Sequence, residues 1–137
     1  MIKAIDHIAV AVRSIAESLP LYTDGLGLWN ITYEEVPSQK VRVAMIPVGE
    51  SRIELLEPTS PDSPIAKYIA KHGEGMHHVT LRVDELDSHM QRLREIGVAL
   101  INDPPVVGAE GSLVTFLHPK NTHGVLIELC RKKAGPQ

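Results

Sequence analysis

Two stretches of the chain match in residue type and spacing, and each supplies one histidine and one carboxylate. The first stretch contains His7 and, 47 residues later, Glu54; the second contains His78 and, 50 residues later, Glu128. Two such halves of a duplicated unit, closing on each other, would gather two imidazoles and two carboxylates. That is the donor set of a divalent metal site with room for a substrate.

Strands must position these side chains. Residues 5–12 alternate, with bulky aliphatic side chains on one face and His7 with two alanines on the other, and residues 78–83 repeat the pattern with His78. A strand cannot bury both faces in apolar core when one face carries histidine and glutamate. The face that carries the four candidate ligands must therefore line a cleft or a site.

Turn and cap signals mark the other elements. Ser14 and Glu17 fit a capping box at the start of a helix. Pro20 either lies near the start of this helix or kinks it. Two further helices are expected, one from Ser63 to Gly73 and one from about Glu85 to Gly97. Strands are expected at Val41–Val48 and Ser51–Leu56, on either side of a Gly49-Glu50 turn. The third helix has apolar residues along one face, namely Leu86, Met90, Leu93 and Ile96.

The order of elements is βαβββ twice. We predict an α+β fold in which two tandem βαβββ modules form a curved mixed sheet around the metal site. The expected organisation is a single domain over residues 1–131, with module one at about 3–58, a linker helix at about 62–73 and module two at about 75–131. Residues 132–137 are expected to form a C-terminal tail.

Composition excludes several classes of protein. The 137 residues are 43% hydrophobic, which suffices for a core, and the net charge of −3 argues against nucleic acid as a partner. No apolar run approaches the ~18 residues of a membrane span and no signal-peptide core is evident, so we expect a cytoplasmic protein. Cys130 is expected to pack in a strand, and His72, His89 and His123 to lie on the surface.

The motifs of this chain resemble those of the vicinal oxygen chelate superfamily, and within it those of the methylmalonyl-CoA epimerase family. The resemblance covers about Ile2 to Arg131. Its marks are Asp6-His7-Ile8-Ala9-Val10-Ala11-Val12, Ile53-Glu54-Leu55-Leu56-Glu57-Pro58, Gly75-Met76-His77-His78-Val79, Phe116-Leu117-His118-Pro119-Lys120 and Gly124-Val125-Leu126-Ile127-Glu128-Leu129.

The resemblance implies an activity and a ligand set. The metal ligands would be His7, Glu54, His78 and Glu128, and the ion Co²⁺, with Ni²⁺, Mn²⁺ or Zn²⁺ as alternatives. The reaction would be the 2R to 2S interconversion of methylmalonyl-CoA through a chelated enediolate, in propionyl-CoA metabolism. A homodimer would also be expected, with a CoA thioester as the substrate.

Inversion at carbon requires acid–base groups on both faces, or one that moves. The resemblance makes Glu128 the first candidate base, and Glu50, His118 or an ordered water are candidates for the second. Several bacterial epimerases carry a glutamate where this chain has Val43, which cannot move a proton. Another group or a water then takes over, or the protein is slower or has a different activity. Candidate contacts for the CoA phosphates are Lys40, Arg42, Lys67 and Lys71.

Two other functions fit the same pattern. A glyoxalase I-like lactoylglutathione lyase would use the same four ligands on a glutathione hemithioacetal. A non-catalytic module of this kind would sequester a ligand without metal. The occurrence of four ligand-type residues at matching positions would then be a coincidence. An Fe(II) extradiol dioxygenase needs only two histidines and one carboxylate, so the additional Glu54 argues against that reaction.

Overall fold

The computed structural model describes residues 1–133, and over this range the chain folds in the order βαβββ, α, βαβββ. The first set of elements is β1 (Ile2–Ala11), α1 (Ile15–Pro20), β2 (Thr32–Val36), β3 (Val41–Val48) and β4 (Ser51–Pro58). The helix α2 (Pro64–His72) follows. The second set is β5 (Gly75–Val83), α3 (Leu86–Glu95), β6 (Val106–Val107), β7 (Leu113–Leu117) and β8 (Ile127–Arg131). The predicted α+β class and the duplicated βαβββ order are confirmed, while residues 134–137 of the predicted tail lie outside the described residues.

The chain divides into two compact units, one of which is His7–His77. Its strands are ordered β2-β3-β4-β1, with β1 and β4 parallel and the other neighbours antiparallel. The aliphatic faces of these strands pack on α1 through a buried cluster. The cluster contains Val12, Ile15, Ala44, Ile46 and Leu55. The opposite face of these strands carries His7 and Glu54, as the alternation predicted.

Within the described residues, the other unit consists of Met1–Asp6 and residues 78–133. Its strands have the equivalent order β6-β7-β8-β5, with β5 and β8 parallel and the other neighbours antiparallel. Aliphatic side chains again fill the space between strands and helix. The buried cluster here contains Val83, Leu86, Met90, Leu117 and Leu129. The two units therefore share one topology, as expected of a duplicated module.

The first helix shows how local sequence changes its geometry. The Ser14 side chain accepts a hydrogen bond from the Glu17 backbone N–H at 3.1 Å, which caps the helix as predicted. Pro20 ends the α-helical part, because proline has no N–H to donate to the preceding turn. The chain continues through a wider π-type turn at Leu21–Gly25. Pro20 therefore does not lie near the start of the helix, and the helix is distorted at this residue, which was the other expectation.

Two expectations about α3 were wrong. His89, expected on the surface, is buried, and that burial lowers the pKa of its imidazole, with the charges of the amino terminus and Arg92 acting in the same direction. Ile96, expected on the apolar stripe, is 72% exposed because α3 ends at Glu95 and Ile96 is its C-cap. His72 and His123 are exposed as predicted.

Among the described residues, no helix is long and apolar enough to span a membrane.

Candidate functional site

The first histidine–glutamate pair lies on neighbouring parallel strands. In the β1–β4 register Ala9 stands opposite Glu54, which places the Glu54 side chain on the same face as His7, two residues earlier in β1. The His7 Nδ1 atom is 3.3 Å from Glu54 Oε2, and both side chains are buried. The spacing of 47 residues between them is thus the length of chain from β1 to the adjacent strand β4.

Arg52 completes this first group. It stands directly opposite His7 in the strand register, and its Nη2 lies 2.9 Å from Glu54 Oε2. The guanidinium compensates the buried carboxylate, which would otherwise be costly to desolvate. Sequence reasoning gave Arg52 no role. Its position two residues before Glu54, on the same face of β4, was the available signal.

The second pair occupies the equivalent strands of the other unit. His78 on β5 places its Nε2 3.6 Å from Glu128 Oε1 on β8, and both side chains are buried. Phe116 stands opposite Glu128 in the β7–β8 register, and its ring meets the His78 ring edge-on at a centroid distance of 5.2 Å. An aromatic wall therefore limits the rotation of the His78 imidazole.

Thr80 fixes the Glu128 carboxylate. It pairs with Glu128 in the β5–β8 register, and its Oγ1 donates a hydrogen bond of 2.6 Å to Glu128 Oε1. Thr80 has no exposed surface. Because the threonine is buried, this hydrogen bond holds one carboxylate oxygen in a defined orientation. The sequence placed Thr80 on the face of His78 but assigned it no function.

The geometry of each pair suits a shared ion. An imidazole nitrogen and a carboxylate oxygen that each bind one ion at about 2.1 Å stand about 3.0–3.4 Å apart. The distance in the first pair falls in that range at 3.3 Å, and the distance in the second is slightly longer at 3.6 Å. Imidazole nitrogens and carboxylate oxygens are also common donors for divalent first-row metals. The residues present therefore fit a divalent ion.

The two candidates for a second base lie outside the strands. Glu50 is exposed in the β3–β4 turn. His118 is exposed at the end of β7, where its Nδ1 accepts a hydrogen bond of 3.1 Å from the Lys120 backbone N–H and caps a short 3₁₀ turn. Val43 is buried on β3 with 2% of its surface exposed. The roles of Glu50 and His118 stay predictions.

Charged residues that were open to several interpretations have protein partners. Arg82, on the same face of β5 as His78, donates a hydrogen bond of 2.9 Å from its Nε to Asp6 Oδ1. Arg42 bridges Glu35 and Glu57 on the surface. A similar surface pair joins Lys40 and Asp62. Two of the four basic side chains considered for CoA are therefore engaged with carboxylates of the protein.

Cys130 packs as expected. Its side chain is buried on β8, and burial raises the pKa of the thiol to about 12, with the charges of Asp6 and Glu128 adding to the effect. A thiol in that state is neutral at physiological pH and is neither a nucleophile nor a thiolate ligand.

Comparison with known proteins agrees with this arrangement. Residues 6–116 match the Glyoxalase/Bleomycin resistance protein/Dioxygenase superfamily. The chain is 36% identical to the mitochondrial methylmalonyl-CoA epimerase of Mus musculus, over 91% of this chain and 71% of that protein. It is 40% identical to the uncharacterized protein YqjC of Bacillus subtilis, over 94% of this chain and 92% of that protein.

A solved structure extends the likeness to three dimensions. The methylmalonyl-CoA epimerase of Streptomyces coelicolor, in complex with 2-nitronate-propionyl-CoA, superposes with a TM-score of 0.93 at 36% identity. The likeness covers 100% of this chain and 99% of that one. The resemblance inferred from the sequence motifs is thereby confirmed, and the chain belongs to the glyoxalase superfamily and, within it, to the methylmalonyl-CoA epimerases.

Proposed function

We propose that this chain interconverts the 2R and 2S epimers of methylmalonyl-CoA. The observation that carries the proposal is the occurrence, in a chain of this family, of two buried histidine–glutamate pairs at equivalent positions of a duplicated module. Each pair has the donor types that one divalent ion requires, and the nitrogen-to-oxygen distances of 3.3 Å and 3.6 Å lie within and slightly above the spacing of two ligands on one ion. A non-catalytic module would have no need to bury two such pairs.

The proposed ligands of this ion are His7, Glu54, His78 and Glu128. When bound, the ion would supply Lewis-acid polarisation of the thioester and carboxylate oxygens of the substrate. Arg52 holds Glu54, and Thr80 holds Glu128, so the two carboxylates are oriented by their neighbours. Among the ions that suit this donor set we propose Co²⁺, which is tested by the metal content of protein purified without added metal.

The chain's own residues would then move the proton. In the proposed step the Glu128 carboxylate removes the hydrogen at C2 as a proton. The electron pair of the broken C–H bond forms a double bond between C2 and the thioester carbon, and the π electron pair of the thioester C=O bond moves onto its oxygen. A second group returns a proton to C2 from the opposite face, and the electron pair returns to carbon. The Thr80 hydrogen bond to Glu128 Oε1 would orient the carboxylate for this exchange.

Proton NMR in D₂O tests the proposal. Methylmalonyl-CoA is incubated with Co²⁺-loaded protein and, as the control, with protein treated with EDTA. We expect the C2 hydrogen signal to disappear faster than the spontaneous exchange only in the metal-loaded sample. Exchange equal to the control would reject the epimerase proposal, and turnover of methylglyoxal with glutathione would then be measured as the assay for the rival lyase.

We further propose that the protein forms a homodimer in the cytoplasm. Members of duplicated β-sheet families often cover exposed strand edges by pairing with a second copy, which supports the dimer. CoA thioesters carry several charges and do not cross membranes unaided, which supports a location where CoA is present. Light scattering should give twice the chain mass of 15.0 kDa, and cell fractionation should find the protein with cytoplasmic enzymes.

A further inference from the structure

Helix α2 carries a row of basic side chains on the side that faces away from the protein. Ile65 and Ile69 form its buried face, with 5% and 8% of their surface exposed. Lys67 and Lys71 are four residues apart and stand on the opposite side of the helix, where both are exposed. The sequence of α2 contains no aspartate or glutamate, although the whole chain has a net charge of −3. A basic face therefore stands out on an acidic protein.

The two lysines of this row have no carboxylate partner within residues 1–133. The other basic side chains considered for the CoA phosphates, Lys40 and Arg42, pair with acidic residues of the protein. The side chains of Lys67 and Lys71 form no ion pair or hydrogen bond in the described part of the chain. Two neighbouring ammonium groups can therefore pair with an external anion, and lysine binds phosphate as a point charge.

A second row on α2 consists of aromatic rings and is turned about 100° from the lysine row around the helix axis. The ring centroid of Tyr68 lies 4.9 Å from that of His72, with a tilt of 38°, and 4.9 Å from that of His77, which it meets edge-on. The Tyr68 hydroxyl donates a hydrogen bond of 2.8 Å to the Met76 carbonyl oxygen. These contacts hold the half-buried Tyr68 ring in place, while the His72 imidazole beside it is exposed.

The two rows together match the chemistry of a phosphorylated nucleoside. Nucleobases stack on aromatic side chains, including histidine, and phosphate groups pair with cationic side chains. Lysines alone would suit any anion, and an aromatic ring alone would suit many apolar groups. CoA ends in an adenosine that carries a 3′-phosphate and a 5′-diphosphate, so this end of the molecule offers both features at once.

We propose that this face of α2, formed by Lys67, Tyr68, Lys71 and His72, binds the nucleotide end of the CoA thioester, an inference that rests on the function proposed above. The adenine ring stacks on the exposed imidazole of His72, and the contact with Tyr68 steadies that imidazole. Lys67 and Lys71 pair with the phosphate groups. No bond is made or broken at this face, which serves substrate affinity.

The location of α2 is compatible with this role. The helix packs against β4, the strand that carries Glu54, and both belong to the unit His7–His77. The nucleotide of CoA is joined to the thioester by a long flexible arm, so it binds without contact to the reacting carbon. Contacts to such a remote group are equally strong in the bound substrate and in the transition state, so they lower KM and leave kcat unchanged.

The test compares a ligand that has the nucleotide with one that lacks it. Calorimetric titration of Co²⁺-loaded protein measures the binding of 2-nitronate-propionyl-CoA and of the same nitronate on pantetheine. The variants are Lys67→Gln combined with Lys71→Gln and, separately, His72→Ala. The matched control is Lys40→Gln combined with Arg42→Gln, which removes the same charge from side chains already paired with carboxylates. Exchange of the C2 hydrogen of methylmalonyl-CoA in D₂O is measured in parallel.

The double lysine variant should bind the CoA ligand about 10–100-fold more weakly than the wild-type protein. Its affinity for the pantetheine ligand should stay within about twofold, which also shows that the variant is folded. KM for methylmalonyl-CoA should rise with little change in kcat. His72→Ala should weaken the CoA ligand about fivefold or more, because the adenine loses its stacking partner. The control variant should stay within about twofold for both ligands.

Two results would overturn the assignment of this face. One is a double lysine variant that binds the CoA ligand as tightly as the control variant does. The other is an equal loss of affinity for both ligands, which would indicate a general defect of the protein. Either result, together with normal C2 exchange by the wild-type protein, rejects the nucleotide site and leaves the epimerase function standing. Conversely, a selective loss of the CoA ligand without C2 exchange by the wild-type protein supports the nucleotide site and rejects the epimerase function.

Discussion

The Thr80 hydroxyl donates a hydrogen bond of 2.6 Å to Glu128 Oε1, and the two residues face each other across the parallel strands β5 and β8. We predict that Thr80→Val, which keeps the shape of the side chain and removes the donor, weakens metal binding by about 10–100-fold. The reason is that Glu128 loses the contact that sets its orientation. Calorimetric titration with Co²⁺ measures the change.

Thr115→Val is the matched control for this variant. Thr115 is also fully buried, and its Oγ1 donates a hydrogen bond of the same length, 2.6 Å, to the Asn102 carbonyl oxygen. Its removal should lower the free energy of unfolding by about 1–3 kcal/mol because the carbonyl loses a partner. Metal affinity should not change. Equal metal affinities in the two threonine variants would contradict the role assigned to Thr80.

Removal of a ligand should abolish both metal binding and turnover. His78→Ala and Glu128→Ala each remove one proposed donor, and we expect the metal content after dialysis to fall below one tenth of the wild-type value. The control is His123→Ala, since His123 is exposed. Full activity in either ligand variant after exhaustive chelation would reject the proposed metal site.

Much of the fold was predictable because its signals are local. The strand β3 has the predicted bounds, Val41–Val48. It begins directly after Lys40, which caps a short 3₁₀ turn, and it ends at the Gly49-Glu50 turn. The caps Ser14 and Ser63 were also predicted correctly. These features depend on a few neighbouring residues, and the same type of signal predicts them in any sequence.

The features that were missed depend on tertiary contacts. The burial of His89 follows from how α3 packs, which its own periodicity did not reveal. The contact of Arg52 with Glu54, and the position of Arg52 opposite His7, depend on strand register. Register is set by pairing between distant segments, so a single sequence specifies it only indirectly.

Arg52 should matter most when no metal is bound. Arg52→Met removes the guanidinium 2.9 Å from the buried Glu54 carboxylate, and we predict a loss of about 1–3 kcal/mol in the free energy of unfolding in EDTA. Saturating Co²⁺ should reduce that loss, because the ion would replace the missing positive charge. Urea unfolding in the two conditions measures the difference.

The control for Arg52→Met is Arg42→Met. Arg42 bridges Glu35 and Glu57 at the surface, and exposed ion pairs contribute little to stability. The effect of Arg42→Met should therefore be small and equal with and without Co²⁺. A destabilisation by Arg52→Met that is the same in both conditions would show that the ion does not bind at Glu54.

Cys130 should resist alkylation in the folded protein. Burial raises the pKa of its thiol to about 12, so at pH 8 about one thiol in ten thousand is ionised. Iodoacetamide followed by mass spectrometry should find native protein unmodified under conditions in which urea-unfolded protein is fully labelled. Because the sequence contains one cysteine, any label reports this residue. Rapid labelling of native protein at pH 8 would contradict the packing role.

The same shift in pKa has a consequence for stability at high pH. An unfolded thiol loses its proton near pH 8.5, whereas the folded thiol keeps it until about pH 12, so between these values the unfolded state binds fewer protons. The free energy of unfolding should therefore fall as pH rises through this window, by up to about 1.4 kcal/mol per pH unit from this group. Cys130→Ala removes the titrating group and should show a shallower decline between pH 8.5 and pH 10 than the wild-type protein. Parallel pH profiles for the two proteins would mean that the thiol is not shielded from water as its burial on β8 requires.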